Sequence, residues 1–87
     1  MNQKLKINKA FGQNLRSLRN KNRLTQEEVA AKLQLYGEDT SRSVYAQIEC
    51  GSYNIRISEL VALKEIFHAS YEDFFAGMER TDNEKKC

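Results

Sequence analysis

"TSRSVYAQIECG", residues 40–51, is the stretch on which the fold turns. It opens with residues that cap helices and ends at a glycine that stops one. Asp39, Thr40 and Ser41 are all candidate caps. With the helix starting at Arg42, Tyr45 and Ile48 lie three apart and point inward together. Arg42, Ser43, Val44, Gln47 and Cys50 cover the rest of its surface. A short helix that is apolar on one side carries hydrogen-bonding groups on the other. Taken alone, this describes any amphipathic surface helix. Glu49, an acid in the last turn, opposes the helix dipole and calls for a cationic partner.

Helices are also legible on either side. Asn8 can cap a first helix reaching about Asn22, with Phe11, Leu15 and Leu18 at helical spacing. Gly12 inside it lowers helix propensity by about 1 kcal/mol, which suggests a close helix contact. "LTQEEVAAKLQLYG", residues 24–37, follows. Thr25 and Glu28 form a capping box, Val29, Ala30 and Leu33 form an inner face, and Gly37 is the stop. "GSYNIRIS", residues 51–58, reads as a loop whose Ser58 caps a fourth helix with Leu60, Leu63, Ile66 and Phe67 inside. Ser70 and Asp73 start a fifth, carrying Tyr71, Phe74, Phe75 and Met78. The expected fold is all-α, a compact five-helix domain over residues 8–78. A basic arm (residues 1–7) precedes it and a polar tail (residues 79–87) follows.

Composition agrees. Eighty-seven residues make one domain, and the absence of proline favours a helical bundle. No apolar run approaches the roughly 18 residues of a membrane span, and no secretion signal is visible. The expected setting is therefore soluble and cytoplasmic. Cys50 and Cys87 are too few for a disulfide framework and suit a reducing compartment as free thiols. Net charge is +2, but residues 1–24 carry seven basic side chains and no acid. Such asymmetry suits a polyanionic partner, although a solvated basic helix explains it equally well.

No catalytic, metal or cofactor chemistry is legible. The single histidine, His68, falls at a helix end where a positive side chain suits the dipole. No Cys/His cluster has metal spacing, no glycine loop cradles phosphate, and no nucleophile pairs with a base. A binding protein is expected, not an enzyme.

The third helix has the chemistry to read DNA. Arg pairs with guanine, Gln with adenine, Ser with either, and a Val methyl can meet a thymine methyl. Order and spacing add a resemblance. "FGQNLRSLRNKNRLTQEEVAAKL", then "SRSVYAQIECG", then "LVALKEIFHASYEDFF" resemble the lambda-repressor-like, Cro/XRE-type helix-turn-helix regulators over about residues 8–76.

The resemblance implies that the second and third helices form the motif and the third reads bases in the major groove. It puts Arg42, Ser43, Val44 and Gln47 at base-reading positions. Gln26 falls at a phosphate contact, as do Cys50, the Gly51 amide, and Tyr53 and Asn54 in the next loop. Lys9 and Arg16 are further phosphate candidates by charge, and Arg19 matches the family's partner for Glu49. One departure stands out. "QLYGEDT", residues 34–40, makes a longer turn than the family usually has, and its Glu38 and Asp39 should point away from phosphate.

The function implied is a sequence-specific regulator of transcription, a repressor of bacterial or phage origin. Two copies would bind a palindromic double-stranded operator, with Phe75 or Met78 left over for a homodimer contact. The alternative is an antitoxin-like module whose apolar fifth helix covers a toxin partner. RNA binding is a weaker option, because surface aromatic platforms are lacking.

Overall fold

The computed structural model describes residues 4, 5 and 7–78. The tail from residue 79, Cys87 and the rest of the arm lie outside them. The five helices are α1 (Lys9–Lys21), α2 (Gln26–Leu35), α3 (Arg42–Glu49), α4 (Ile57–Phe67) and α5 (Tyr71–Phe74). They enclose one core built from Phe11, Leu15, Val29, Leu33, Tyr45, Ile48, Leu60, Leu63, Ile66, Phe67 and Phe74. The inward faces read from periodicity are buried in α2, α3 and α4, as are Phe11 and Leu15 of α1, whereas α5 turns only Phe74 fully inward.

Side-chain caps set the helix starts. Asn8, Thr25, Ser41 and Ser70 each accept an amide from three residues on. In α2 the box closes both ways: the Glu28 amide donates to Thr25 Oγ1 (3.0 Å) and the Thr25 amide to Glu28 Oε1 (2.8 Å). Of the three cap candidates before α3, Ser41 caps. Thr40 is buried instead, with its hydroxyl donating to a Glu59 carboxylate oxygen.

Three features depart from the sequence reading. First, part of the arm is paired. Lys4–Leu5 forms β1, antiparallel to β2 (Ile55–Arg56), with Lys4 opposite Arg56 and Leu5 opposite Ile55. The segment read as a loop therefore contains a short strand, anchored by the fully buried Ile55.

Second, α4 starts earlier than Ser58. Arg56 is its N-cap, and the Glu59 carboxylate accepts the Arg56 amide (2.8 Å). This is half a capping box, since an arginine side chain has no acceptor to complete it. Ser58 donates instead to Glu38 (3.1 Å).

Third, α5 is a single turn. The Asn14 side-chain amide donates to the carbonyls of Phe74 and Ala76 (both 2.9 Å). Carbonyls that another helical turn would have satisfied are taken by α1. Phe74 is fully buried, whereas Tyr71 and Phe75 are exposed.

Candidate nucleic-acid interface

The motif pair is α2 and α3, joined by residues 36–41. Helix α2 ends in a Schellman turn: the Gly37 amide donates to the Gln34 carbonyl and the Glu38 amide to that of Leu33 (both 3.0 Å). Gly37 takes the required positive φ, 93°. The two acids of this long turn are both held by Arg56. Its Nη2 lies 2.5 Å from Asp39 Oδ1, 3.8 Å from Glu38 Oε1 and 3.4 Å from Glu59 Oε2. The hydrogen bond from Arg56 keeps the Asp39 carboxyl below its usual range. Sequence reasoning gave Arg56 no role. The signal available was that two adjacent acids without a cation need one.

Helix α3 turns Tyr45, Ile48 and Glu49 inward and leaves Arg42, Ser43 and Gln47 exposed. Val44 is half-buried and packs on the core, so only an edge of it faces outward. The base-reading set expected from the sequence is thus three accessible polar side chains beside a partly covered valine.

Glu49 organises the inner side. Only 3% of it is exposed. Arg19 Nε donates to Oε2 (2.6 Å) and Nη2 to Oε1 (3.2 Å), a forked pair, while Nη1 donates to the Leu24 carbonyl (2.9 Å). Gln26 Nε2 donates to Oε1 (3.0 Å), and Arg16 Nε stands 3.7 Å from the same oxygen. Burial pushes the Glu49 pKa up. The hydrogen bonds from Arg19 and Gln26, with the Tyr45 hydroxyl close by, outweigh it and leave the group below its usual range. The same contact raises Arg19. The Tyr45 hydroxyl is buried beside this pair with no partner in full hydrogen-bond geometry. Its pKa is raised, first by burial and then by the Glu49 charge.

Helix α1 crosses the end of α3 closely. A Cβ built on Gly12 would stand 2.0 Å from the Glu49 carbonyl oxygen, so only glycine fits. Beyond α3, Gly51 has φ 77° and packs on the backbone of Asn8 and Lys9. This brings Lys9 next to the loop carrying Tyr53 and Asn54, all three exposed.

One expectation needs correcting. The Gly51 amide is not free for a phosphate: it donates to the Ile48 carbonyl (3.0 Å), and the Cys50 amide donates to Ala46 (3.1 Å). A second Schellman turn consumes them, completed by the Ser52 amide on Gln47 (3.1 Å). Any backbone contact here falls to side chains.

At the start of α2, Arg19, Leu24, Thr25, Gln26, Glu27 and Arg42 line an open cleft of ≈ 420 Å³. Arg42 and the acid Glu27 lie beside a helix N-terminus there, while the guanidinium of Arg19 is already taken by Glu49 and the Leu24 carbonyl. The sequence pointed to Gln26 at this spot but not to Arg19 and Arg42 as its walls. Elsewhere, Met78 packs against the core, and Phe75 keeps 42% exposure with its ring 5.4 Å from Phe11. Among the described residues no group of three His, Cys, Asp or Glu could hold a metal, and no helix is long and apolar enough to cross a membrane.

Residues 10–74 match the family described as the helix-turn-helix domain. That span is most of the chain, and the chain belongs to this family. No curated protein and no solved structure matches it.

Proposed function

We propose that this protein is a sequence-specific regulator of transcription of the lambda-repressor-like, Cro/XRE kind, acting in a bacterial cytoplasm as a repressor. Two copies occupy a palindromic operator, each with α3 in the major groove. Arg42 and Gln47 read base edges, with Ser43 and the Val44 edge beside them. Gln26, at the N-terminus of α2, holds phosphate together with Lys9, Arg16, and the side chains of Cys50, Tyr53 and Asn54.

The observation that carries this reading is the division of α3. Its outer face is polar and exposed, and its inner face is locked through Glu49 to α1 and α2. A helix held by both neighbours presents its side chains in fixed positions, as base readout requires. The two acids of the long turn support the reading too, since Arg56 offsets charge that would repel phosphate. The antitoxin-like alternative drew on an apolar fifth helix. That helix is four residues long with Phe74 buried, and Tyr71 on it and Phe75 at its end remain exposed.

Selection of bound sequences from random duplexes tests the proposal. A single enriched palindrome is expected. No enrichment, together with no duplex binding at low salt, would sink it.

A further inference from the structure

Helix α4 is apolar on more than its core side. Leu60, Leu63, Ile66 and Phe67 fill the core, yet Val61 stays 45% exposed and Ile57 is half-buried. A helix with apolar residues on two sides normally has neighbours on both. Ile57, Val61 and Glu65 are spaced by four, so they form one ridge about 12 Å long. Ser58 and Ala62 form the row beside it, and their small side chains leave room above them. An open groove of ≈ 470 Å³ runs along these two rows, its lining completed by Tyr36 and Glu38 from the turn after α2. Tyr36 is 53% exposed, so apolar surface faces solvent on both sides of the groove.

The charge around this groove has one sign. The charged residues that line it are both acids, Glu38 and Glu65. Glu38 accepts from the Ser58 hydroxyl (3.1 Å), which holds it near the start of α4, and Glu65 lies two turns further on. Arg56 stands 3.8 Å from Glu38 but closer to Asp39 and Glu59, so one cation serves three acids. Glu65 has no ion-pair partner among the described residues. The chain as a whole is +2, so the acidity is local to this corner.

An open trough covers one face of its occupant. That suits the stripe of an amphipathic helix, whereas a tightly held small molecule is enclosed on most sides. Acids at both ends select the charge of the occupant, because like charges brought together are costly. We propose that the groove receives an amphipathic helical segment of another protein, with an apolar anchor over Val61 and Ala62 and a lysine or arginine at each end, facing Glu38 and Glu65. The contact uses none of the outer face of α3, so it stands or falls apart from DNA readout.

A library of random helical peptides, displayed on phage and selected against the full chain without DNA, tests it. The expected consensus has an apolar stripe with Lys or Arg at both ends, about two turns apart. A synthetic peptide of that consensus should shift the amide resonances of residues 57–65. Val61→Ser should weaken its binding by about tenfold. Glu65→Lys should weaken it by about fivefold or more, and exchanging the facing peptide cation for Glu should recover the loss. Both residues are exposed, so the helical circular dichroism of each variant should match that of the parent.

No enriched sequence overturns the proposal, and so does an acidic or uncharged consensus. So does a peptide that binds both variants as tightly as the parent, since its site then lies elsewhere on the molecule.

Discussion

Arg19 of α1 grips Glu49 of α3 through two hydrogen bonds, Nε to Oε2 at 2.6 Å and Nη2 to Oε1 at 3.2 Å, with the carboxylate fully enclosed. Truncating one partner leaves the other charge buried and uncompensated. Arg19→Ala and Glu49→Ala are each expected to lose about 3–5 kcal/mol of stability. In a domain of this size that lowers Tm by well over 10 °C, taking about 4–8 °C per kcal/mol. Two denaturation curves overlying that of the parent protein would show that the pair contributes nothing.

The same pair sets a pH dependence. The folded-state pKa of Glu49 is lower than its unfolded one. Its contribution is therefore fully present above the unfolded value, about 4.3. It is lost as pH falls through the folded value. Glu49→Gln should flatten the acid limb of a stability–pH profile. An unchanged slope between neutral pH and pH 3 would contradict the assignment.

Gly12 and Gly37 separate two reasons for a glycine. Gly12→Ala improves helix propensity yet drives a methyl into the Glu49 carbonyl, which has no flexible end to yield. It should destabilise by about 1–3 kcal/mol or more, as overpacking does. Gly37→Ala meets nothing within 4 Å and should lose only the roughly 1 kcal/mol of a positive φ. Comparable losses at both sites would mean that α1 does not pass α3 so closely.

Where a local signal had a single reading, sequence and structure agree. Thr25 and Glu28 can make only one box, and Gly12 inside an apolar face pointed to the contact it makes. Glu49, opposing its own helix dipole, called for something to offset it, and the family resemblance named Arg19. The misses have tertiary causes. Ser58 is a good cap by type, but Glu59 sits where its carboxylate reaches the Arg56 amide, and Ser58 is drawn to Glu38. Phe75 and Met78 continue a helical pattern, yet Asn14, sixty residues away along the chain, takes the carbonyl of Phe74. The Gly51 amide was expected to meet a ligand, and the turn that ends α3 uses it first. Each depends on a neighbour that periodicity does not reveal.

Thr40 ties the long turn to α4. Its buried hydroxyl donates to Glu59, whose carboxylate also takes the Arg56 amide. Thr40→Val keeps the shape and removes the donor, at an expected loss of about 1–3 kcal/mol. If Thr40→Val matches the parent in urea, the Thr40 hydroxyl contributes nothing to holding the turn.

The reading face has two kinds of contact with separable signatures. Arg42 and Gln47 are exposed on α3 and are proposed to discriminate among bases. Replacing either with Ala should weaken the selected operator by about 1–3 kcal/mol and relax preference at one or two base pairs. Lys9 and Arg16 are proposed to meet phosphate, so each Ala variant should lower the log–log salt slope by about 0.9 on operator and scrambled duplex alike. Arg16 stands 3.7 Å from Glu49 and shares its charge, so its slope change should be the smaller of the two. Gln26→Ala removes no charge and should weaken both duplexes with little change in slope. It also takes a donor from Glu49, so part of its effect should appear as lost stability. Titrating each variant against both duplexes across a salt series settles the roles. Equal losses for Arg42→Ala on operator and scrambled DNA would demote it to a backbone contact, in keeping with its place on the wall of the cleft beside Gln26.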